Sequence, residues 1–394
     1  MKSTQFWRYV VWLALAVIFA IGLLLRLQAI MYTEVDRPIR ADAVDYIAYA
    51  YNLKNSHVYS KSLPNTVGDP VPDALRSPGY PVFISLFLDT AVSSRALLKV
   101  QYSQALLSAI VILLAFSLFS VVLGHRLALA VALLTAISPH LVTINVYFLT
   151  ESLFGFLLML FFWLLSRLHS PPQPALLLVL GLLLAGASLT RPWLQYFIII
   201  LVPLLATRKS ALLVFLSFVA VMSIWLLRNF MTIGSMTDGS LMATSILHGA
   251  YPDFMYQNNP ASYGMPYRFD PRANEITGSL TQVLLEIADR FRNMPYEYIY
   301  WYVIGKPISL FSWNIVQGMG DVFIYPVIRS PYFELTHFKI SHEFLRIVHA
   351  PLILLALFGS VVVWMQEKMR MLDKQALFVA RCISLLIGFF IIVH

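Results

Sequence analysis

Nine apolar stretches dominate this chain, and they leave few folds open to it. A helix needs roughly 17–25 apolar residues to cross the hydrocarbon core of a bilayer. The candidates are Trp7–Ala29, Ala96–Leu123, Leu127–Leu149, Ser152–Leu165, Ala175–Leu189, Trp193–Ala206, Ala211–Leu227, Leu345–Trp364 and Ala376–Val393. Of the 394 residues, 59% are apolar or aromatic and 12% are charged, where a soluble domain carries roughly 25% charged residues. One soluble core cannot bury that much apolar surface, so the expected fold is an all-α polytopic membrane protein. Cys382 is the single cysteine, which rules out an internal disulfide. The net charge of +8 comes without any basic run of five or more. Such a surplus suits cytoplasmic loops rather than nucleic acid.

The first stretch is flanked by Lys2 and Arg8 and lacks a small-residue cleavage signal, so it reads as an uncleaved anchor with its N-terminus inside. The positive-inside rule then puts Gly124–Arg126, Arg167–His169, Thr207–Lys209 and Gln366–Arg370, with Lys374, in the cytoplasm. Two long polar segments, Met31–Lys99 and Asn229–Phe344, fall outside with nearly every carboxylate; Glu367 and Asp373 stay inside. Tyr80–Asp89 is too short to cross and reads as an interfacial or re-entrant helix. Tyr298–Ile328, broken by Pro307, Gly318 and Gly320, crosses zero times or twice, giving nine or eleven spans. The chain shows no fixed-period repeat and no separable soluble domain, so residues 1–394 read as one membrane-embedded unit. It stops in the apolar run Ile391–His394.

Ionisable groups near lipid are costly, which makes each a candidate for function. In Arg40–Leu53, Val44, Ile47, Ala48 and Tyr51 form an apolar stripe, with Asp42, Asp45, Tyr46 and Tyr49 opposite. This predicts an interfacial helix with two carboxylates one turn apart. They suit a general base and a tuning neighbour, or simply acids in a first turn favoured by the helix dipole. Arg76, in Arg-Ser-Pro-Gly-Tyr-Pro, suits a phosphate or a snorkelling anchor. Glu151 stands between Thr150 and Ser152 at the outer end of a span, where a lone carboxylate needs a partner or a task, although a first-turn acid also fits. Arg191 and Arg228 share the outer face with Arg76. The three suit a phosphate cluster if they converge, or separate interface anchors if they do not. His248 stands alone, and the nine histidines show no metal-ligand spacing. The chain has no Walker loop, G-x-S-x-G or Rossmann fingerprint, so neither an ATP-driven pump nor a soluble-cofactor enzyme is indicated.

These motifs follow one another in a recognisable order. An Asp-x-x-Asp-Tyr-x-x-x-Ala-x-Asn-Leu helix precedes Arg-Ser-Pro-Gly-Tyr-Pro, Leu-Thr-Glu-Ser-Leu-Phe, Leu-Thr-Arg-Pro and Trp-x-x-Arg-Asn-Phe-x-x-x-Gly. From about residue 8 to about residue 255 the order resembles bacterial GT-C membrane glycosyltransferases, of the protein O-mannosyltransferase and lipid A aminoarabinose transferase type. The resemblance implies inverting transfer of a sugar from a polyprenyl-phosphate donor to a lipid, glycan or protein acceptor. That reaction would take place on the outer face of a bacterial inner membrane.

By this resemblance Asp42, four residues before Tyr46, is the essential acid. Many relatives carry a second acid immediately after it. Here Ala43 stands there and Asp45 lies a turn on, which leaves the division of labour between Asp42 and Asp45 open. Glu151 matches the acid of the second loop, and Arg76 is similar to a donor-phosphate residue, with Arg191 and Arg228 as further candidates. Arg40, Tyr46, Tyr80, Asn229 and His248 are candidates for substrate contact. No cofactor and no metal ligand set is indicated, although a divalent cation remains open. A lipid-linked-sugar flippase or transporter would also explain outer arginines, but transporters tend to have pseudo-repeated halves and charges at the midplane. An O-antigen polymerase or ligase is a third reading, one that relies on outer arginine and histidine rather than an early Asp helix.

Overall fold

The computed structural model of the protein describes residues 2–63, 68–168, 171–205, 207–365 and 374–393. His169, Ala206, the basic turn Gln366–Arg370 with Glu367, Asp373 and the terminal His394 lie outside the described residues. Every expected apolar stretch has a helical counterpart. α1 (Lys2–Tyr32), α4 (Ser94–Leu123), α10 (Arg208–Ile233), Thr336–Val362 and Lys374–Val393 are each long and apolar enough to cross a membrane. α7 (Glu151–Leu165), α8 (Pro174–Thr190) and the Pro192–Leu204 run, which contains α9 (Phe197–Leu201), are shorter apolar helices. The protein is an all-helical, multi-pass membrane protein. Many of its large apolar side chains face outward along these helices, the arrangement expected when the surrounding solvent is lipid.

The stretch expected as one span over Leu127–Leu149 is instead two helices, α5 (His125–Ile137) and α6 (Pro139–Thr143), bent by 51° at Ser138. The cause is local. Pro139 has no N–H to offer the Thr135 carbonyl one turn back, so the helix opens and leaves acceptors bare. Arg26 fills the gap from α1. It is fully buried and donates to the carbonyls of Thr135 (3.1 Å) and Ala136 (3.0 Å), to Gly22 O (2.8 Å) and to Ser108 Oγ (2.8 Å).

Close backbone approach shapes the rest of the bundle. α8 lies so tightly on α10 that a Cβ at Gly181 would meet the Val214 carbonyl and the Ser217 hydroxyl. Small residues at helix contacts are the usual means of such packing in membranes. Gly181→Ala is therefore expected to cost about 1–3 kcal/mol, read as a lowered midpoint of unfolding in detergent. An unchanged midpoint would mean that the two helices slide apart freely.

A small ribbon joins the segment after α1 to the segment before Thr336–Val362. β1 (Glu34–Val35) pairs antiparallel with β2 (Val327–Arg329), Glu34 opposite Arg329 and Val35 opposite Val327. The Arg329 guanidinium covers the Tyr32 ring at 4.0 Å, and Tyr32 donates to Glu334 at 2.5 Å. The first outer segment is thus fastened to the second. At the opposite end Arg126 lies over the Trp7 ring at 5.7 Å, so the α4–α5 turn and the start of α1 share one side.

Helices extend further into both outer segments than apolar composition suggested: α1 to Tyr32, α4 from Ser94, α10 to Ile233 and the next span from Thr336. The short α3 (Gly79–Ser85) is wedged between α2 (Asp42–Asn55) and α8, with Tyr80 and Ile84 fully buried. Tyr80–Asp89 thus packs one side against the protein and leaves Val82 and Leu86 exposed on the other. From Pro295 to Leu310 the chain makes a single helical run through a π turn at Trp301–Gly305, and turns follow it. One helix followed by non-helical backbone does not cross a bilayer twice; among the described residues five helices are long and apolar enough to cross, six if the bent pair is one span, and three more apolar helices are shorter.

Candidate active site

α2 begins at Asp42 with Asp45 also in its first turn. Its apolar side is buried through Ala43, Ile47, Ala48 and Ala50. Tyr49, expected on the exposed face with the acids, is fully buried instead; its hydroxyl donates to Asp73 and its ring stacks on Tyr59 at 4.2 Å. The face left open therefore carries the two aspartates and Tyr46.

Arg76 reaches this face and bridges both carboxylates, with Nη2 to Asp42 Oδ1 at 2.7 Å and Nε to Asp45 Oδ2 at 2.9 Å. The side chain of Asp42 is 51% exposed and that of Asp45 25%, so Asp42 is the acid open to an incoming group. Burial acts to lower the affinity of Arg76 for its proton, but Asp42, Tyr46 and Asp45 outweigh it and hold its pKa above the ordinary value. The guanidinium sits 5.5 Å from the Tyr46 ring centre, which in turn meets Tyr80 edge-on at 5.2 Å. Burial, helped by Asp42, pushes the Tyr46 phenol up to about 12, so it stays a neutral donor in any physiological range.

A second pair stands beside the first. Glu151 opens α7 and binds Arg191, whose Nε also donates to Thr150 Oγ1 at 3.1 Å. The lone carboxylate of the sequence thus has its cation at the C-terminus of α8. The start of α3 abuts that same place: a Cβ on Gly79 would stand 2.8 Å from the Leu189 carbonyl, a gap only glycine leaves open. Only one Glu151 oxygen is paired; Oε2 is buried without a hydrogen-bond partner. Glu151 lines a cavity of about 330 Å³ with Ser108, His140, Ser152, Phe156 and Ile324.

The turn before Glu151 is held by Asn145, which donates to the Leu141 carbonyl at 2.7 Å and accepts from Ser152 at 3.0 Å. Below it Gln104 accepts from Tyr80 and donates to the Tyr147 carbonyl at 3.0 Å.

Two expected residues stand in supporting positions. Arg228 does not join Arg76 in an open cationic cluster. Its Nη1 donates to the Asp73 carbonyl (2.7 Å) and its Nη2 to the Tyr59 carbonyl (2.8 Å), and the Tyr59 hydroxyl donates to the Arg76 carbonyl at 3.0 Å. Arg228 thus holds the strap that carries Arg76. Asn229 is fully buried and donates to the Met236 carbonyl at 3.0 Å, tying the loop after α10 to that helix. His248 is buried against Phe254 and Tyr267 and bonds to the Gly264 carbonyl and Gln317, a core position rather than a ligand's.

Sequence reasoning missed Tyr325. It is buried, packs on Tyr147 at 5.3 Å, lies under the Arg40 guanidinium at 5.7 Å and feels the charges of Asp42 and Glu151. Burial first and Asp42 second raise its pKa well above the ordinary tyrosine value. It lies beyond the range of the motifs, and only the folding back of the second outer segment brings it here. Among the described residues no set of three or more His, Cys, Asp or Glu side chains could hold a metal ion.

Residues 75–233 match the family model described as dolichyl-phosphate-mannose-protein mannosyltransferase. The match starts one residue before Arg76 and stops at the last residue of α10. It takes in Glu151, Arg191 and Arg228 but not Asp42 or Asp45. It covers less than half of the chain. No curated protein matches. Among solved structures, the chain is similar to the Archaeoglobus fulgidus oligosaccharyltransferase tethered by a disulfide to an acceptor peptide containing the NVT sequon. That similarity has 15% identity and a TM-score of 0.42, over 98% of this chain and 54% of the other. The chain spans about half the length of that protein.

Proposed function

We propose that this protein is an inverting glycosyltransferase, taking a sugar from a polyprenyl-phosphate carrier to a hydroxyl acceptor at the outer face of a bacterial inner membrane. The observation that carries the reading is the pair of acids at the start of α2, with Asp45 the more enclosed and Asp42 more than half exposed, both held by Arg76. The family match over residues 75–233 supports it.

A sugar hydroxyl is a poor nucleophile, and a positioned carboxylate takes its proton as it attacks the anomeric carbon. Asp42 is that base, with Asp45 and Arg76 fixing its orientation. The leaving group is a phosphate, whose developing charge a fixed cation stabilises without proton transfer. Arg76 and Arg191 are each committed to carboxylates and Arg228 to backbone carbonyls. Arg40 lies over Tyr325, and its guanidinium makes no ion pair among the described residues, so Arg40 is the cation best placed for the donor phosphate. Glu151 Oε2 is an acceptor awaiting a hydroxyl and orients the acceptor substrate.

The decisive experiment places purified protein in nanodiscs with a panel of polyprenyl-phosphate sugars and a membrane extract as acceptor source. Release of free polyprenyl phosphate is then followed. Release that needs both donor and extract supports the reading; tight donor binding without release would favour a flippase. Glu151→Gln keeps the shape and an acceptor for Arg191 but loses the charge. It is expected to raise the acceptor KM roughly tenfold, about one charge-assisted hydrogen bond, and a KM equal to wild type would take Glu151 out of acceptor binding.

A further inference from the structure

The helical run from Pro295 to Leu310 shows its apolar side to the outside. Its buried side carries Tyr298, Trp301 and Gly305, with Trp301 Nε1 donating to the Gly249 carbonyl at 3.0 Å. The opposite side carries Tyr296, Ile299, Tyr300, Val303, Ile304 and Ile308, all exposed, Tyr296 at 89% and Val303 at 66%. Their spacing follows the three-and-four rhythm of one helix face, so they form one ridge about 18 Å long. A soluble surface does not present such a ridge to water.

Glu297 and Lys306 are the only charged residues of the run. Neither is on the ridge: Glu297 is exposed beside it and Lys306 is folded back, its Nζ 4.3 Å from the Tyr302 ring centre. Arg292 stands 79% exposed just before the run begins. At its far end the run packs against Lys374–Val393, a helix long and apolar enough to cross the membrane, so the ridge ends beside a candidate span. Tyrosines with a wet hydroxyl and a greasy ring are typical of the boundary between headgroups and acyl chains.

We propose that the Pro295–Leu310 helix lies in the plane of the outer leaflet, with this ridge sunk into the headgroup–acyl boundary of the bilayer. The helix crosses nothing. It rests the second outer segment on lipid, as an amphipathic interfacial helix does.

The lone cysteine makes the test direct. In full-length protein carrying Cys382→Ala, Val303→Cys receives an environment-sensitive fluorophore, and the protein is reconstituted into phosphatidylethanolamine–phosphatidylglycerol vesicles. Nitroxide on a shallow acyl position is expected to quench the label roughly twofold more than nitroxide near the chain end, as burial of about 5–10 Å requires. Aqueous iodide should quench it weakly. A second label at Lys54→Cys, on the exposed end of α2, serves as the aqueous reference. Strong iodide quenching at position 303, matching the reference, would overturn the proposal. Protection from both quenchers together with cross-linking between two copies would also overturn it, in favour of a dimer interface. None of these readouts depends on glycosyl transfer, so the proposal stands or falls apart from the reading of the active site.

Discussion

Asp42→Asn is expected to lower turnover by roughly 100- to 10,000-fold, the loss typical when a general base is removed, while the protein stays folded. The amide is the same size as the carboxylate and can still accept from Arg76 Nη2, and Asp45 keeps its own contact with Arg76 Nε. What disappears is the ability to take a proton. Donor binding should therefore change little, and single-turnover release of polyprenyl phosphate should slow as much as steady-state turnover. Asp45→Asn is expected to do less, since Asp45 is half as exposed as Asp42 and acts through Arg76. If Asp42→Asn turns over normally, the proton goes elsewhere and the division of roles argued above is wrong.

The largest expected effect on stability is far from those acids. Arg26→Leu keeps the bulk of the side chain in α1 but strips the donors from Thr135 O and Ala136 O at the helix break, while Gly22 O keeps its partner within α1. Pro139 cannot repair the first of these, and lipid offers no water to take its place. Each buried acceptor left bare costs about 1–3 kcal/mol, so the variant should lose several kcal/mol in detergent unfolding. Restoring the N–H with a second change, Pro139→Ala, is expected to recover part of that loss by letting α5 continue. A lone Arg26→Leu protein as stable as wild type would mean that the break is satisfied by other means.

Much of the architecture was legible in the sequence because membrane spans are a local signal: a run of apolar residues is read without knowing what it touches. The same holds for Asp42, Asp45, Arg76 and Glu151, each a charge set among apolar or aromatic neighbours. What the sequence concealed depended on distant partners. Nothing near Arg76 says that it bridges two acids more than thirty residues earlier in the chain, and nothing near Glu151 points to Arg191 at the end of α8. Arg228 carries the same local pattern as a phosphate ligand, yet its partners are two main-chain carbonyls. Tyr49 sat on the wrong side of the expected helix because the strap from Tyr59 to Arg76 covers that face as well. The Ser138 break had its cue in Pro139, which a count of apolar residues passes over.

The ribbon that joins Val35 to Val327 sets an order of assembly. A ribosome making this chain delivers β1 and the acids of α2 early, and the strand that pairs with β1 almost three hundred residues later. Until that strand emerges, Tyr325 and the loop bearing Ile324 are absent, and the cavity beside Glu151 lacks one wall. A nascent chain halted before residue 325 therefore holds its carboxylates in a site that has not yet closed.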